Sequence, residues 1–283
     1  MLLRDYGENK LVDFTRGQAM PLAANFTIGL LTAVTDSTFT EVSWPGYTRL
    51  TVARSLANWA GTQAPGSVTS STGTSHQTSN NTAWDFGAAG GAATVIALGI
   101  FTGTDMFCWV PVAPVTYASG DPVNFPIGSV TLTLGLTGGL SDYASNKLID
   151  LIFRAQAFSW PGNVFVRLMT SAPTNAGGGT EVPSAGGYSS QSVPSSLAAW
   201  SGTQSAGSTV PSTGTSGRTS NNSPIIYPAP TTSWGTITHR AVSDAAGVGG
   251  NLLFWAPMDT PRTVVGGGPA PRFANDSLIH IFS

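Results

Sequence analysis

The chain has 283 residues and only 9% of them are charged, against roughly 25% in an ordinary globular domain. The formal net charge is −2, from 12 basic and 14 acidic side chains scattered along the chain, so the clustered basic footprint of a nucleic-acid binder is excluded. With 41% hydrophobic residues, wholesale disorder is excluded as well, and a surface this poor in charge is expected to be covered by partners.

Arg4, Asp5, Glu8 and Lys10 stand where a signal peptide needs an apolar run, so export by a leader is not expected. Asn9 lies at the front of a Pro-free segment, residues 9–19, which predicts a short helix with Asn as its cap and an apolar stripe of Leu11 and Phe14. The same segment returns at 146–157, with a broader stripe that includes Leu148, Leu151 and Ile152. These five residues are candidate docking positions. Such a helix either packs beside its own β-sandwich or inserts into a neighbouring subunit. Asp13–Arg16 and Asp150–Arg154 sit at helical spacing and are expected to contribute ~0.2–0.5 kcal/mol each if exposed.

The return of the helix is part of a tandem duplication. Asp5/Asp142, Tyr6/Tyr143, Asn9/Asn146, Lys10/Lys147, Leu11/Leu148 and Asp13/Asp150 share one offset, and Arg16/Arg154 and Gln18/Gln156 follow after a one-residue slip. Thr40-Glu41-Val42 matches Thr180-Glu181-Val182, SLANWAGTQ (55–63) matches SLAAWSGTQ (196–204), and STGTSHQTSNN (71–81) matches STGTSGRTSNN (212–222). Two domains are therefore expected, residues 1–137 and 138–283.

After each helix, runs rich in Val, Ile, Thr and aromatics alternate with Gly, Pro, Ser and Asn clusters. Strands are predicted at 26–33, 47–53, 82–86, 95–102, 106–110 and 130–134, and again at 164–170, 188–193, 224–227, 236–243, 251–256 and 278–282. The predicted fold class is mainly β: two tandem antiparallel β-sandwich or jelly-roll-like domains, each preceded by a short α-helix. The uncharged stretch 87–104 does not read as a membrane span, because its partner in the second copy carries His239, Arg240 and Asp244. Between the second and third strands of each copy lies a Ser/Thr/Gly/Gln segment, 61–81 and 202–222, which is either mobile or ordered by a partner.

No catalytic, cofactor-binding or metal-ligating residues are assigned. His76, His239 and His280 have no second histidine at ligand spacing, Glu41 and Glu181 lack a neighbouring carboxylate, and the Gly-Gly-Gly runs do not open a helix. Cys108, the only cysteine, lies in Phe-Cys-Trp and reads as a buried thiol. Trp59 and Trp200, each in Leu-Ala-x-Trp-x-Gly-Thr-Gln, have two readings. An exposed indole beside Gln63 or Gln204 could stack a sugar ring, or the indole could pin the long loop to its sandwich. These four are candidate interaction-loop residues. The sequons at Asn80 and Asn221 are chance matches in a chain that does not enter a secretory pathway.

The opening DY-x-x-NKL-[VI]-D, the Gly-rich T-E-V segment, Gly46-Tyr47 and Gly187-Tyr188, W-G-T-I-T-H (234–239), NLLFW (251–255) and P-R-F…L-I-H-I (271–281) resemble a family of tailed-bacteriophage virion structural proteins, often labelled tail-fibre-like. The second copy follows the pattern closely. In the first, WGTITH is replaced by GAATVIAL and NLLFW by DMFCW. Members are usually single copies of the half-length unit, so the chain resembles a fused pair. The resemblance implies a non-enzymatic virion protein without cofactors, assembled in the bacterial host cytoplasm and carried on the particle surface. Its implied partners are other virion proteins, the major capsid protein or tail components, and further copies of itself, with no nucleic acid and no membrane. The expected role is capsid decoration or cement; the alternative is a tail-fibre or baseplate component touching host surface glycan.

Overall fold

The computed structural model of the chain describes residues 2–137 and 139–282. It is mainly β, in two tandem units that each follow one α-helix, α1 (Asp5–Thr15) and α2 (Asp142–Arg154). In the first unit an antiparallel sheet runs Leu2–Leu3, Asp105–Tyr117, Ala93–Thr102, Asn25–Val34, Phe39–Glu41, with Leu50–Ala53 also paired to Asn25–Val34. Two short ribbons, Gln77–Ser79 with Thr131–Thr133 and Trp84–Ala88 with Pro122–Phe125, close the core from the other side. Period-two alternation turns Phe26, Ile28 and Leu30 inward, where they join Trp84, Val123 and Leu132 from the ribbons.

The second unit repeats this plan. Gln191–Pro194, Asn163–Met169, Gly235–Ser243 and Leu252–Val264 form its main sheet. Arg218–Ser220 pairs with Ile279–Phe282, and Ile225–Ile226 with Arg272–Phe273. The connection between units adds one exchange. Leu136–Thr137 pairs with Ile279–Phe282, the last strand of the second unit.

The long hairpin strands run further than predicted, through Pro111 and Pro114 in Asp105–Tyr117 and through Pro257 and Pro261 in Leu252–Val264. Leu2–Leu3 covers only Cys108 and Trp109, and Leu252–Val264 ends its sheet, so these prolines lie along edges where a missing donor breaks no ladder. Gln77–Ser79 and Arg218–Ser220 lie inside the Ser/Thr-rich segments, whose polar sequence carries no strand pattern.

Both helices begin four residues earlier than the predicted Asn caps. Arg4 and Ser141 occupy the capping positions, and Ser141 Oγ accepts from the Ala144 amide at 3.0 Å. Asn9 and Asn146 are interior helix positions and cap nothing. Leu11, Phe14, Leu148 and Ile152 are buried, and Leu151 is half-buried against the same core.

That core is continuous across the two units. Phe153 of α2 reaches Trp59 at 5.0 Å and Phe26 at 5.8 Å between ring centroids, and Phe14 of α1 meets Trp160 edge-on at 5.9 Å. The repeat places Thr15 where α2 has Phe153, and a cavity of about 20 Å³ lies there, between Thr15, Trp200, Phe254 and His280.

Candidate assembly interface

The polar face of each helix grips the Ser/Thr/Gly segment of the other unit. The α2 guanidinium of Arg154 donates from Nε to the Trp59 carbonyl at 3.0 Å, from Nη2 to the Thr69 carbonyl at 2.6 Å and the Ser67 carbonyl at 3.2 Å, and from Nη1 to Ser71 Oγ at 3.1 Å. Asp150 takes the Ser71 amide at 2.8 Å and the Ser71 hydroxyl at 2.6 Å, and pairs with Arg154 Nη1 at 2.6 Å. Asn146 donates to the Gly73 carbonyl at 3.1 Å and accepts from the Thr62 hydroxyl.

α1 makes the same contacts in the opposite direction. Arg16 donates to the carbonyls of Trp200 at 2.9 Å, Val210 at 3.0 Å, Ser208 at 3.1 Å and Leu197 at 3.3 Å, and to Ser212 Oγ at 3.2 Å. Asp13 accepts from the amide and hydroxyl of Ser212 at 3.0 and 2.7 Å. Asn9 donates to the Gly214 carbonyl at 3.0 Å and accepts from the Thr203 hydroxyl. The one-residue slip between Asp and Arg is absorbed at the helix end: Arg16 is the C-cap of α1, whereas Arg154 is the last residue of α2.

Both arginines are fully buried, so the scale of an exposed helix pair does not apply to them. Burial pushes the Arg16 guanidinium below its ordinary value, and Asp13 opposes that shift. Arginine suits the position because its fixed fork of donors can serve several diverging carbonyls at once. The Ser/Thr segments offer those carbonyls because they fold on themselves without a core. Gly73 and Gly214 pass so close to Thr62 and Thr203 that a Cβ would stand 2.2 and 2.3 Å from their carbonyl oxygens. The segments are thus ordered by a partner, and the partner is the other half of the same chain. Each helix packs on its own sheet and also against the other unit of the same chain.

Trp59 is wholly buried and Trp200 is 5% exposed. Their indole N–H groups donate to the carbonyls of Ala53 and Pro194 at 3.2 and 3.1 Å. Neither offers a face to a sugar, which corrects the stacking reading. Each anchors the start of the segment whose carbonyl the opposing arginine takes. Gln63 is exposed and Gln204 half-exposed, and both bridge within their own loops, to Ser67 and Ser208. Asn80 and Asn221 are buried and bracket the neighbouring ribbons.

The repeated acids outside the helices are also structural. Tyr47 Oη accepts from the Leu30 amide at 2.8 Å and donates to Glu41 at 3.1 Å, while Arg49 holds Glu41 from the other side. Tyr188, Leu168, Glu181 and Arg167 repeat the arrangement, and burial pushes both phenols upward. The Cys108 thiol is buried and pushed up to about 12. Among the described residues, no group of three His, Cys, Asp or Glu is placed to hold a metal ion, and no helix is long and apolar enough to cross a membrane.

Asn9, Asp13, Arg16 and their counterparts are read from the sequence as a cap and as helix ion pairs, and their interface contacts are not legible there. The available signal was polar identity between otherwise divergent copies, in N-x-x-x-D-x-x-(x)-R and S-T-G-T-S.

The fold and this interface define a class: a tandemly duplicated β-protein whose repeated polar residues hold its halves together rather than line a reaction cleft. The family model for the Podophage GP4 fiber I protein gp80 matches the chain twice, over residues 3–133 and 139–280. The chain belongs to that family of phage fibre proteins. No curated protein matches it significantly. Membership makes it a virion structural protein that associates with other virion components. The expected capsid-decoration role gives way here, since the family is one of fibres and not of head-lattice cement.

Proposed function

We propose that the chain is a non-enzymatic building block of a podophage tail fibre, carried at the particle surface and bound to other tail components. The observation that carries this reading is that two fibre-family matches tile nearly the whole chain. The structure agrees in chemistry. The polar groups shared by the two copies satisfy one another, and the repeated acids are locked in ion pairs with arginine. A part of this kind serves positioning and contact.

Exposed Val68, Val210, Ile127, Ile226 and Val265 stand on the low-charge surface as apolar points for neighbouring subunits. Assembly in the host cytoplasm and a homo-oligomeric arrangement on the particle follow from the same reading. Quantitative mass spectrometry of purified particles tests it, with the major capsid protein as the internal standard. A fibre component is expected in a small multiple of the tail symmetry. Copies on the scale of the capsid lattice would overturn the reading.

A further inference from the structure

Each half of this chain carries a plug, the Asn–Asp–Arg face of its helix, and a socket, the Ser-Thr-Gly-Thr-Ser loop behind its tryptophan. Neither is completed within its own half. Arg154 has no exposed surface, and the hydrogen-bond partners of its guanidinium outside α2 all come from residues 59–71. Arg16 likewise finds its partners beyond α1 in residues 197–212. A half folded alone would keep its Asp–Arg ion pair but strip it of its loop partners, leaving most of the guanidinium's donors and the matching loop carbonyls unpaired at an opened core, a costly arrangement.

The contacts are reciprocal. α1 grips the second loop through the same residue types and carbonyl positions by which α2 grips the first. Such self-complementarity is the mark of a twofold subunit interface. The shared core, with Phe153 against Trp59 and Phe14 against Trp160, has the character of an obligate interface, a domain core divided between two subunits. The family model matches each half separately, so the unit of the family is one plug and one socket. Among the described residues, the connection between halves contributes no donor or acceptor to either clasp. It supplies the short pairing of Leu136–Thr137 with Ile281 and Phe282, and the Leu140 bridge to Phe254.

We infer that the helix–loop clasp is a subunit interface, and that this chain is a twofold dimer of one repeat whose two copies are joined in one polypeptide. The partner that fits each socket is a second copy of the repeat, supplied here by the same polypeptide. The inference concerns how the unit assembles and does not depend on where it sits on the particle.

The test uses the full chain with a protease recognition sequence inserted after Thr137, folded first and then cut. The halves are expected to remain together at the mass of the intact chain. Mixed with isotopically heavy cut protein, they are expected to exchange into species with one light and one heavy half, read by native mass spectrometry. Arg16→Ala with Arg154→Ala should release the halves after cutting. Asn9→Ala with Asn146→Ala, which leaves both buried ion pairs in place, should raise the dissociation constant about tenfold.

Halves that part on cutting with the clasp intact would overturn the inference. So would clasp variants that hold as tightly as the parent. An insertion that prevents folding would also overturn it, because the connection would then be part of the fold and not a tether.

Discussion

Arg154 donates its Nε hydrogen to the carbonyl of Trp59, 95 residues earlier in the chain, at 3.0 Å. The indole of that same tryptophan packs 5.0 Å from Phe153, the residue before the arginine. One turn of α2 therefore holds both the backbone and the side chain of the residue that begins the first unit's polar loop. Removing either clasp arginine leaves a buried carboxylate without its counter-charge and strips the donor from the carbonyls of Trp59 and Thr69, or of Trp200 and Val210. Arg154→Ala and Arg16→Ala are each expected to cost about 3–5 kcal/mol in denaturant unfolding. Arg154→Lys should recover only part, because one ammonium cannot follow diverging carbonyls.

Gly73 and Gly214 allow the loop to pass over Thr62 and Thr203. A methyl group there would meet backbone carbonyl oxygen and carbon. Gly73→Ala or Gly214→Ala is expected to cost about 1–3 kcal/mol, as overpacking does elsewhere. Hydrogen exchange should show the added opening in the substituted loop and in the helix gripping it from the other unit.

Trp59→Ala and Trp200→Ala act on the core. Each is expected to lower stability by about 3–5 kcal/mol and reduce the yield of folded protein. Calorimetry of the purified variants checks this. A variant of native stability that had lost only attachment to host cells would contradict the burial of these indoles.

His280 lies where the first copy has Leu132, its ring 4.9 Å from Phe254 and its Nε2 without a hydrogen-bond partner among the described residues. Burial first, and the charge of Arg240 second, push its pKa down to about 3. The unfolded chain binds a proton near pH 6.5 that the folded chain resists. This group's contribution is therefore complete above about pH 6.5 and is lost progressively as the pH falls toward 3. His280→Leu should raise the melting temperature at pH 4 far more than at pH 8.

Glu8 behaves in the opposite sense. Burial, with Asp5 and Asp36 nearby, raises its carboxyl from 4.5 to about 7. The folded chain holds this proton more tightly than the unfolded one. The associated stability is complete below about pH 4.5 and is lost as the pH rises through 7. Glu8→Gln is expected to stabilise the protein at pH 8 and to change little at pH 4, read from melting curves at the two values.

The sequence by itself determined the duplication, the β class, the presence of a helix before each unit and most of the core strands. Those properties are written locally. Phe26, Ile28 and Leu30 alternate, Leu148 and Ile152 recur at helical spacing, and Gly-Tyr and Asn clusters mark the turns. The first turn of each helix is not legible, because Asn9 and Asn146 resemble caps in isolation and only the early capping position of Ser141 shows them to be interior. The tertiary structure decided what the polar residues do. Asp13–Arg16 and Asp150–Arg154 have the spacing of exposed pairs, and Trp59 and Trp200 sit in loops that could have faced water. They are buried because each unit covers the other's loop, and what covers a polar surface depends on chain more than 80 residues away, beyond the reach of any local pattern.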